Sequence, residues 1–268
     1  NAIGFAMAEK KLSSTLGKDC IDHFTYVFAG DGCLMEGLSH EACSLAGHLK
    51  LNKLIMFFDD NSISIDGSTD LSNSDDIKKR FESYNWNYIK IDGHNFEEID
   101  EAIIEAKKSL LPSIIACKTT IGYGSPNKSG KASSHGSPLG EDEIDLVRKK
   151  LNWSHKAFEI PNDLLKAWRE FHVRNIKIRN EWDNKNSEVF KSKDFNNYFL
   201  NNENDELAKN IVKFKNKHFE EKTNCATRKA SELSLNLIFK NMPNLLGGSA
   251  DLTGSNNTKA KEMKVVNA

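Results

Sequence analysis

Apolar residues in this chain gather into short dense runs separated by turn-rich polar sequence. Phe24-Thr25-Tyr26-Val27-Phe28 predicts a buried strand that stops at Ala29-Gly30-Asp31-Gly32. A helix should follow: from Glu41, the residues Ala42, Leu45, Ala46 and Leu49 fall at i, i+3, i+4 and i+7 and share one helical face. Leu54-Ile55-Met56-Phe57-Phe58 predicts a second buried strand, halted by Asp59-Asp60-Asn61. Residues 87–91 and 114–118 supply two more strands, and Ile99, Ala102, Ile103 and Ala106 mark an amphipathic helix between them. Strands alternating with helices predict an α/β fold, an open and mostly parallel sheet with helices on both faces. In such sheets ligands gather beyond the carboxyl ends of the strands.

Past a loop over 122–140 rich in Gly, Ser and Pro, the pattern changes. Helix formers with Trp153, Trp168 and Trp182 give way to Asn-rich sequence over 184–216, too polar to supply a second core. Surface helices and a long connection are expected there. A new β-α pattern begins near Thr223: a helix from about Arg228 to Asn241 stops at Met242-Pro243, and Leu245-Leu246 predicts a short strand running into Gly247-Gly248-Ser249-Ala250-Asp251.

Composition narrows the function classes. With 37 Lys and Arg against 38 Asp and Glu, the formal charge of -1 gives no field that would draw nucleic acid or an anionic membrane. The longest apolar run, Leu54 to Phe58, is far short of the roughly 20 residues that span a bilayer. The five cysteines are scattered without a C-x-x-C pair, which fits a reducing compartment, the cytoplasm. The sequence opens at Asn1 rather than methionine and stops at Ala268, so a transit peptide would lie outside it.

Two of the strands end in oxygen-bearing side chains, one in Gly30-Asp31-Gly32 and the other in Asp60-Asn61. A carboxylate and an amide oxygen are hard ligands suited to Mg²⁺ or Ca²⁺, and Mg²⁺ completes its shell with phosphate oxygens and water. Glycine at 32 would let a backbone N–H approach a phosphate closely. Either motif alone reads as an ordinary turn, because Gly, Asp and Asn dominate turns. Together they describe a metal-bridged diphosphate site. Rival nucleotide motifs fail on spacing: Met35 stands where G-x-G-x-x-G needs its third glycine, and Gly124 to Ala132 has one residue too many, and the wrong last residue, for a P-loop.

Gly30-Asp31-Gly32-Cys33-Leu34-Met35-Glu36-Gly37, with Glu41-Ala42 and Leu45-Ala46-Gly47-His48-Leu49, resembles the thiamine diphosphate signature of transketolases. Asp59-Asp60-Asn61-x-Ile63-x-Ile65-Asp66-Gly67 resembles its second half. Three further blocks agree in family order: Thr119 to Gly124, Ser134-His135-Gly136-x-Pro138-Leu139-Gly140, and Ala226-Thr227-Arg228-Lys229 with Gly247 to Leu252. His40 and Gly254 depart from it, standing where the family more often has Ser and Pro.

The resemblance implies a division into a partial diphosphate-binding domain over 1–155, a helical low-complexity connection over 156–222, and the start of a pyrimidine-binding domain over 223–268. It implies thiamine diphosphate as cofactor, with the metal held by Asp31, Asn61 and the Ile63 carbonyl. Gly32 would bond the diphosphate and Ile65 would pack on the cofactor. Asp251 would face the thiazolium from the partner subunit of a homodimer, and the acids Glu36 and Glu41 would be buried between its two active sites, although carboxylates in first helical turns are equally explained by the helix dipole. His135 would lie beside the reacting carbonyl, and Arg228 and Ser255 would bind the phosphate of a sugar-phosphate substrate. A lone loop histidine is more often merely solvated, and Arg228 could be an exposed cation, although a positive charge at a helix start is poorly placed for the dipole. The activity implied is transfer of a two-carbon ketol unit from a ketose phosphate to an aldose phosphate. Dihydroxyacetone synthase, 2-oxo acid enzymes and a non-catalytic transketolase-like subunit share parts of the pattern. The family's N-terminal histidines and its activating glutamate fall outside these residues, so the 268-residue chain alone is expected to be inactive.

Overall fold

The computed structural model describes residues 1–199, 205–242 and 244–267, which form two compact units, Asn1–Glu181 and Trp182–Asn267. Pro243, the expected helix stop, lies outside the described residues, as do Ala268 and residues 200–204 of the Asn-rich stretch. In chain order the elements are α1 (Ala2–Leu16), β1 (Thr25–Gly30), α2 (Asp31–Met35), α3 (Gly37–His48), β2 (Leu54–Asp60), β3 (Ile63–Ser64), β4 (Gly67–Ser68), α4 (Ile77–Ser83), β5 (Asn87–Asp92), α5 (Phe96–Lys108), β6 (Ser113–Lys118), α6 (Glu141–Lys150), α7 (Asn162–Lys185), α8 (Lys193–Phe199), α9 (Asp205–Glu220), α10 (Thr227–Asn241) and α11 (Thr253–Asn256).

Four strands form one parallel sheet in the order β1-β2-β6-β5, and β3 and β4 make a separate small hairpin. The two central strands are the continuous apolar runs, as a sheet covered on both faces requires. Leu54, Met56, Phe58, Ile114 and Ala116 pack on one face with residues of α1, α3 and α4, and Ile55, Phe57, Ile115 and Cys117 pack on the other with Ala102 and Ala106 of α5. The α/β architecture expected from the alternating pattern is therefore present. Helix α5 is also well capped, with the Asn95 side chain accepting the N–H groups of Glu97 and Glu98.

The buried stripe of α3 differs from the expected one. Cys43, Ala46 and Leu49 are buried, whereas Leu45 is 44% exposed. Two contacts set the rotation: the Trp86 indole donates to the Cys43 carbonyl at 2.8 Å, and Gly47 lies against the Tyr84 carbonyl. Tertiary packing thus overrides the i, i+3, i+4 reading.

In the second unit no residue of α8 or α9 is fully buried, in agreement with the surface helices expected before 222, and none of α10 or α11 is fully buried either. The strand expected at Leu245-Leu246 does not form. A strand exists only where a neighbour bonds its backbone, and here the Leu245 N–H turns back onto the Met242 carbonyl at 3.1 Å, with no strand among the described residues of that unit. No helix among the described residues is long and apolar enough to cross a membrane.

Candidate functional site

Parallel register places Gly30 beside Asp59, so β1 turns into α2 at Asp31 where β2 runs on to Asp60 and Asn61. The Asn61 amide is held from both sides. Its Nδ2 donates to Asp59 Oδ2 at 3.1 Å, and its Oδ1 accepts the Ile63 N–H at 3.0 Å. One lone pair of that oxygen is left for a further partner. Between them Ser62 takes the left-handed conformation, φ 61°, uncommon for a residue with a side chain.

The Asp31 carboxyl reaches this turn. Its pKa stands above the ordinary aspartate value because burial disfavours its charge and Asp60 repels it, while Lys118 and the Ser62 N–H pull it back. Its Oδ2 is shielded from water and has no hydrogen-bond partner. A buried acceptor without a donor is costly, and a cation would relieve it. Among the described residues no group of three His, Cys, Asp or Glu side chains could hold a metal ion, so an ion here would draw on amide and main-chain oxygens as well. A cleft of about 470 Å³ adjoins Asp31 and is lined also by Leu34, Phe58, Asp60 and Tyr88.

The tip of β6 joins the same place, a role that the sequence reading gives neither to Lys118 nor to the Thr119 to Gly124 block it quotes. Lys118 Nζ lies 3.3 Å from Asp60 Oδ1 and donates to Ser62 Oγ at 2.7 Å, and the Thr119 hydroxyl donates to Asp59. Just beyond β5, His94 Nε2 accepts the Thr120 N–H at 3.0 Å and its ring stacks on Tyr123 at 3.9 Å. The rule that ligands collect at the carboxyl ends of parallel strands, applied to β5 and β6 as it was to β1 and β2, would have found both groups.

The two signature glycines play different parts. A Cβ on Gly32 would meet nothing within 4 Å, so the fold itself makes no demand there and the first turn of α2 stays open to an approaching group. A Cβ on Gly47 would lie 1.6 Å from the Tyr84 carbonyl oxygen, so that glycine serves packing. Ile63 opens the β3–β4 hairpin, and Ile65, at its tip, is 73% exposed. Glu36 and Glu41, which the resemblance expects to be buried, are both exposed on this single chain, where Leu38 and Leu45 beside them are exposed too. Their own helix provides no cover, because α3 packs through Cys43 and Ala46.

His135 follows a single helical turn over residues 132–134, and its backbone N–H bonds the Ala132 carbonyl at 2.8 Å, with the residue itself exposed. In the second unit Arg228, in the first turn of α10, donates to the Ser255 carbonyl at 3.3 Å, so these two are brought together. Asp251 is exposed, and its Oδ1 accepts the Leu252 N–H at 2.6 Å.

Residues 1–209 match the model of the transketolase, thiamine diphosphate binding domain family. The chain is 48% identical over 272 residues to a transketolase of Buchnera aphidicola subsp. Acyrthosiphon pisum, covering 96% of this chain and 40% of that protein. It is 46% identical to transketolase 2 of Escherichia coli K12, again over 96% of this chain and 40% of the relative. Among solved structures, the transketolase of Campylobacter jejuni superposes with a TM-score of 0.86 at 36% identity over 98% of this chain and 40% of that one. A Pichia stipitis transketolase in complex with sedoheptulose 7-phosphate gives a TM-score of 0.84 at 36% identity, with 98% and 40% covered. The chain thus spans 40% of the length of these relatives. With a family model covering most of it and the parallel sheet in agreement, the chain belongs to the transketolase thiamine diphosphate binding domain family.

Proposed function

We propose that this chain is the cofactor-gripping part of a transketolase that moves a two-carbon ketol unit from a ketose phosphate to an aldose phosphate in the pentose phosphate pathway. The observation that carries the reading is the buried, unpartnered Asp31 Oδ2 at a strand tip shared with the Asn61 turn. The residues fit the group they would hold. Asp31, the free lone pair of Asn61 Oδ1 and the Ile63 carbonyl would bind Mg²⁺ or Ca²⁺, and the unobstructed Gly32 N–H would bond a diphosphate oxygen. Ile65, apolar and exposed on its hairpin, would pack against the rings of thiamine diphosphate. When bound, the cofactor supplies the nucleophilic carbon for cleavage beside a ketose carbonyl.

The chain's own residues bind and orient. Arg228 offers a planar, multidentate grip on a terminal sugar phosphate beside Ser255, which mainly sets KM. His135, exposed on its loop, would donate or accept a hydrogen bond at the sugar oxygens and move a proton there. Glu36 and Glu41, with Leu38 and Leu45, would be covered by a second copy in a homodimer, in which Asp251 would reach the partner's cofactor. On this reading residues 1–155 belong to the diphosphate-binding domain, 156–222 connect, 223–268 open the pyrimidine-binding domain, and the enzyme works in the cytoplasm.

Calorimetric titration of thiamine diphosphate with and without Mg²⁺ tests the grip, and ketol transfer from xylulose 5-phosphate by the full-length protein tests the activity. That sugar is bound by a Pichia stipitis relative. Binding that ignores Mg²⁺, or full-length protein that transfers nothing, would overturn the proposal.

A further inference from the structure

A chain of hydrogen bonds ties the loop that carries His135 to α6. Glu143, in the first turn of α6, is only 7% exposed. Its carboxylate accepts from the Ser125 hydroxyl, from the Asn127 N–H at 2.8 Å and from Asn127 Nδ2 at 2.8 Å. Ser125 is buried as well, and its Oγ accepts the Lys128 N–H at 3.0 Å. Lys128 then holds the His135 segment at two points. Its carbonyl accepts the Ser134 hydroxyl at 2.6 Å, and its Nζ donates to the Leu139 carbonyl at 2.7 Å. The first tether is the residue before His135, and the second lies four residues after it. Gly122 leaves room for the first, since a Cβ there would come within 2.8 Å of Ser134 Oγ.

We propose that Lys128, seated by Glu143 through Ser125 and Asn127, is a positioning residue that fixes the place of His135. A lysine spent on a main-chain carbonyl, and a buried glutamate spent on a turn, are poorly explained as surface charge. Both are accounted for if the 134–139 segment, with two glycines inside or beside it, must be held in one conformation before substrate arrives. The inference rests on the reading of His135 as a substrate-facing residue. It goes beyond that reading by naming what holds the residue in place.

The test is a double-mutant cycle in the full-length protein, with kcat, KM, thiamine diphosphate affinity and thermal unfolding measured for each variant. Displacing a contacting group by about 1 Å costs up to about 100-fold. Lys128→Met and Ser134→Ala, each removing one tether, are therefore expected to lower kcat about 10-fold with cofactor Kd unchanged. In a His135→Ala background either substitution should add less than about twofold, because there is no longer an imidazole to misplace. Full additivity of the two losses overturns the inference. An impaired His135→Ala variant beside unimpaired Lys128→Met and Ser134→Ala overturns it alone. An unimpaired His135→Ala overturns the reading of His135 and this inference with it. Should Lys128→Met fail to fold, Ser134→Ala, which deletes one hydroxyl, decides.

Discussion

Gly30 and Asp59 are register partners in the β1–β2 pair, so the turn into α2 and the Asp60-Asn61 tip emerge side by side from one end of the sheet. That single pairing turns two unremarkable turn sequences into one site. It also explains why Asp31 is held at some cost to the fold: its charge is disfavoured by burial and by Asp60, and one of its oxygens has no donor.

Asp31→Asn should separate folding from function. A carboxyl whose folded pKa is raised destabilises the folded state wherever it is ionised, so at neutral pH its neutral isostere should raise Tm by about 2 °C. The same variant should lose Mg²⁺-dependent thiamine diphosphate affinity by about 100-fold, since even supporting residues of metal sites cost 10- to 100-fold. Scanning calorimetry and titration read the two effects. A lower Tm with cofactor binding intact would sink the assignment.

Glycines 32 and 47 should fail in opposite ways. Gly47→Ala drives a methyl into the Tyr84 carbonyl at the α3–α4 contact and should cost about 3 kcal/mol or prevent folding. Gly32→Ala meets nothing in the chain, so its Tm should stay within about 1 °C while diphosphate affinity falls. Equal stability losses in the two variants would refute the distinction drawn between them.

Much of the sheet was legible because β2 and β6 are runs of buried apolar residues and α5 carries a clean helical stripe with an Asn95 cap. The rotation of α3 was not, since it depends on Trp86 and Tyr84, which lie far along the chain and carry no local signal. The absent strand at Leu245-Leu246 is the same lesson, for apolar β formers make a strand only beside a partner. At the site, Asp31 and Asn61 could be read from motif and strand ends. Lys118, Thr119 and His94 could not be singled out by type; only their place at the ends of β5 and β6 marks them, and the convergence of those tips on one edge brings them to the site. The Lys128 tethers run mostly to main-chain atoms, which leave no mark in sequence.

Thiol reactivity offers a map of the cofactor's position. Burial pushes Cys43 and Cys117 up to about 11 and raises Cys20 as well, whereas Cys33 and Cys225 are exposed. Because the thiolate is the reactive form, alkylation at pH 8 should modify Cys33 and Cys225 at least about 100-fold faster than Cys43 and Cys117, and faster than Cys20 as well. Cys33 directly follows Gly32, so thiamine diphosphate with Mg²⁺ should slow its labelling and leave Cys225 untouched. Mass spectrometry of the labelled peptides reads this, and equal protection of both cysteines would count against a diphosphate at α2.

Glu143 gives the chain a pH-dependent tether whose sign can be fixed. Hydrogen bonds from Ser125 and Asn127, with help from the Lys128 charge, hold its carboxyl at about 2, below the ordinary 4.5. With the folded value depressed, the unfolded chain takes up the proton first as pH falls. The stabilisation is therefore whole above 4.5, shrinks as pH drops from there, and is lost by about 2. Glu143→Gln keeps the shape but sets an amide N–H against the donors of Ser125 and Asn127, so its Tm should lie below the parent's at pH 7. The gap should narrow steadily between pH 5 and pH 2, because in that range the parent gives up the charge that the variant never had. Comparing parent with variant cancels the other carboxylates that titrate in the same window. A gap that stays constant from pH 7 to pH 3 would mean that the Glu143 charge does not hold the loop, and the seat proposed for Lys128 would lose its foundation.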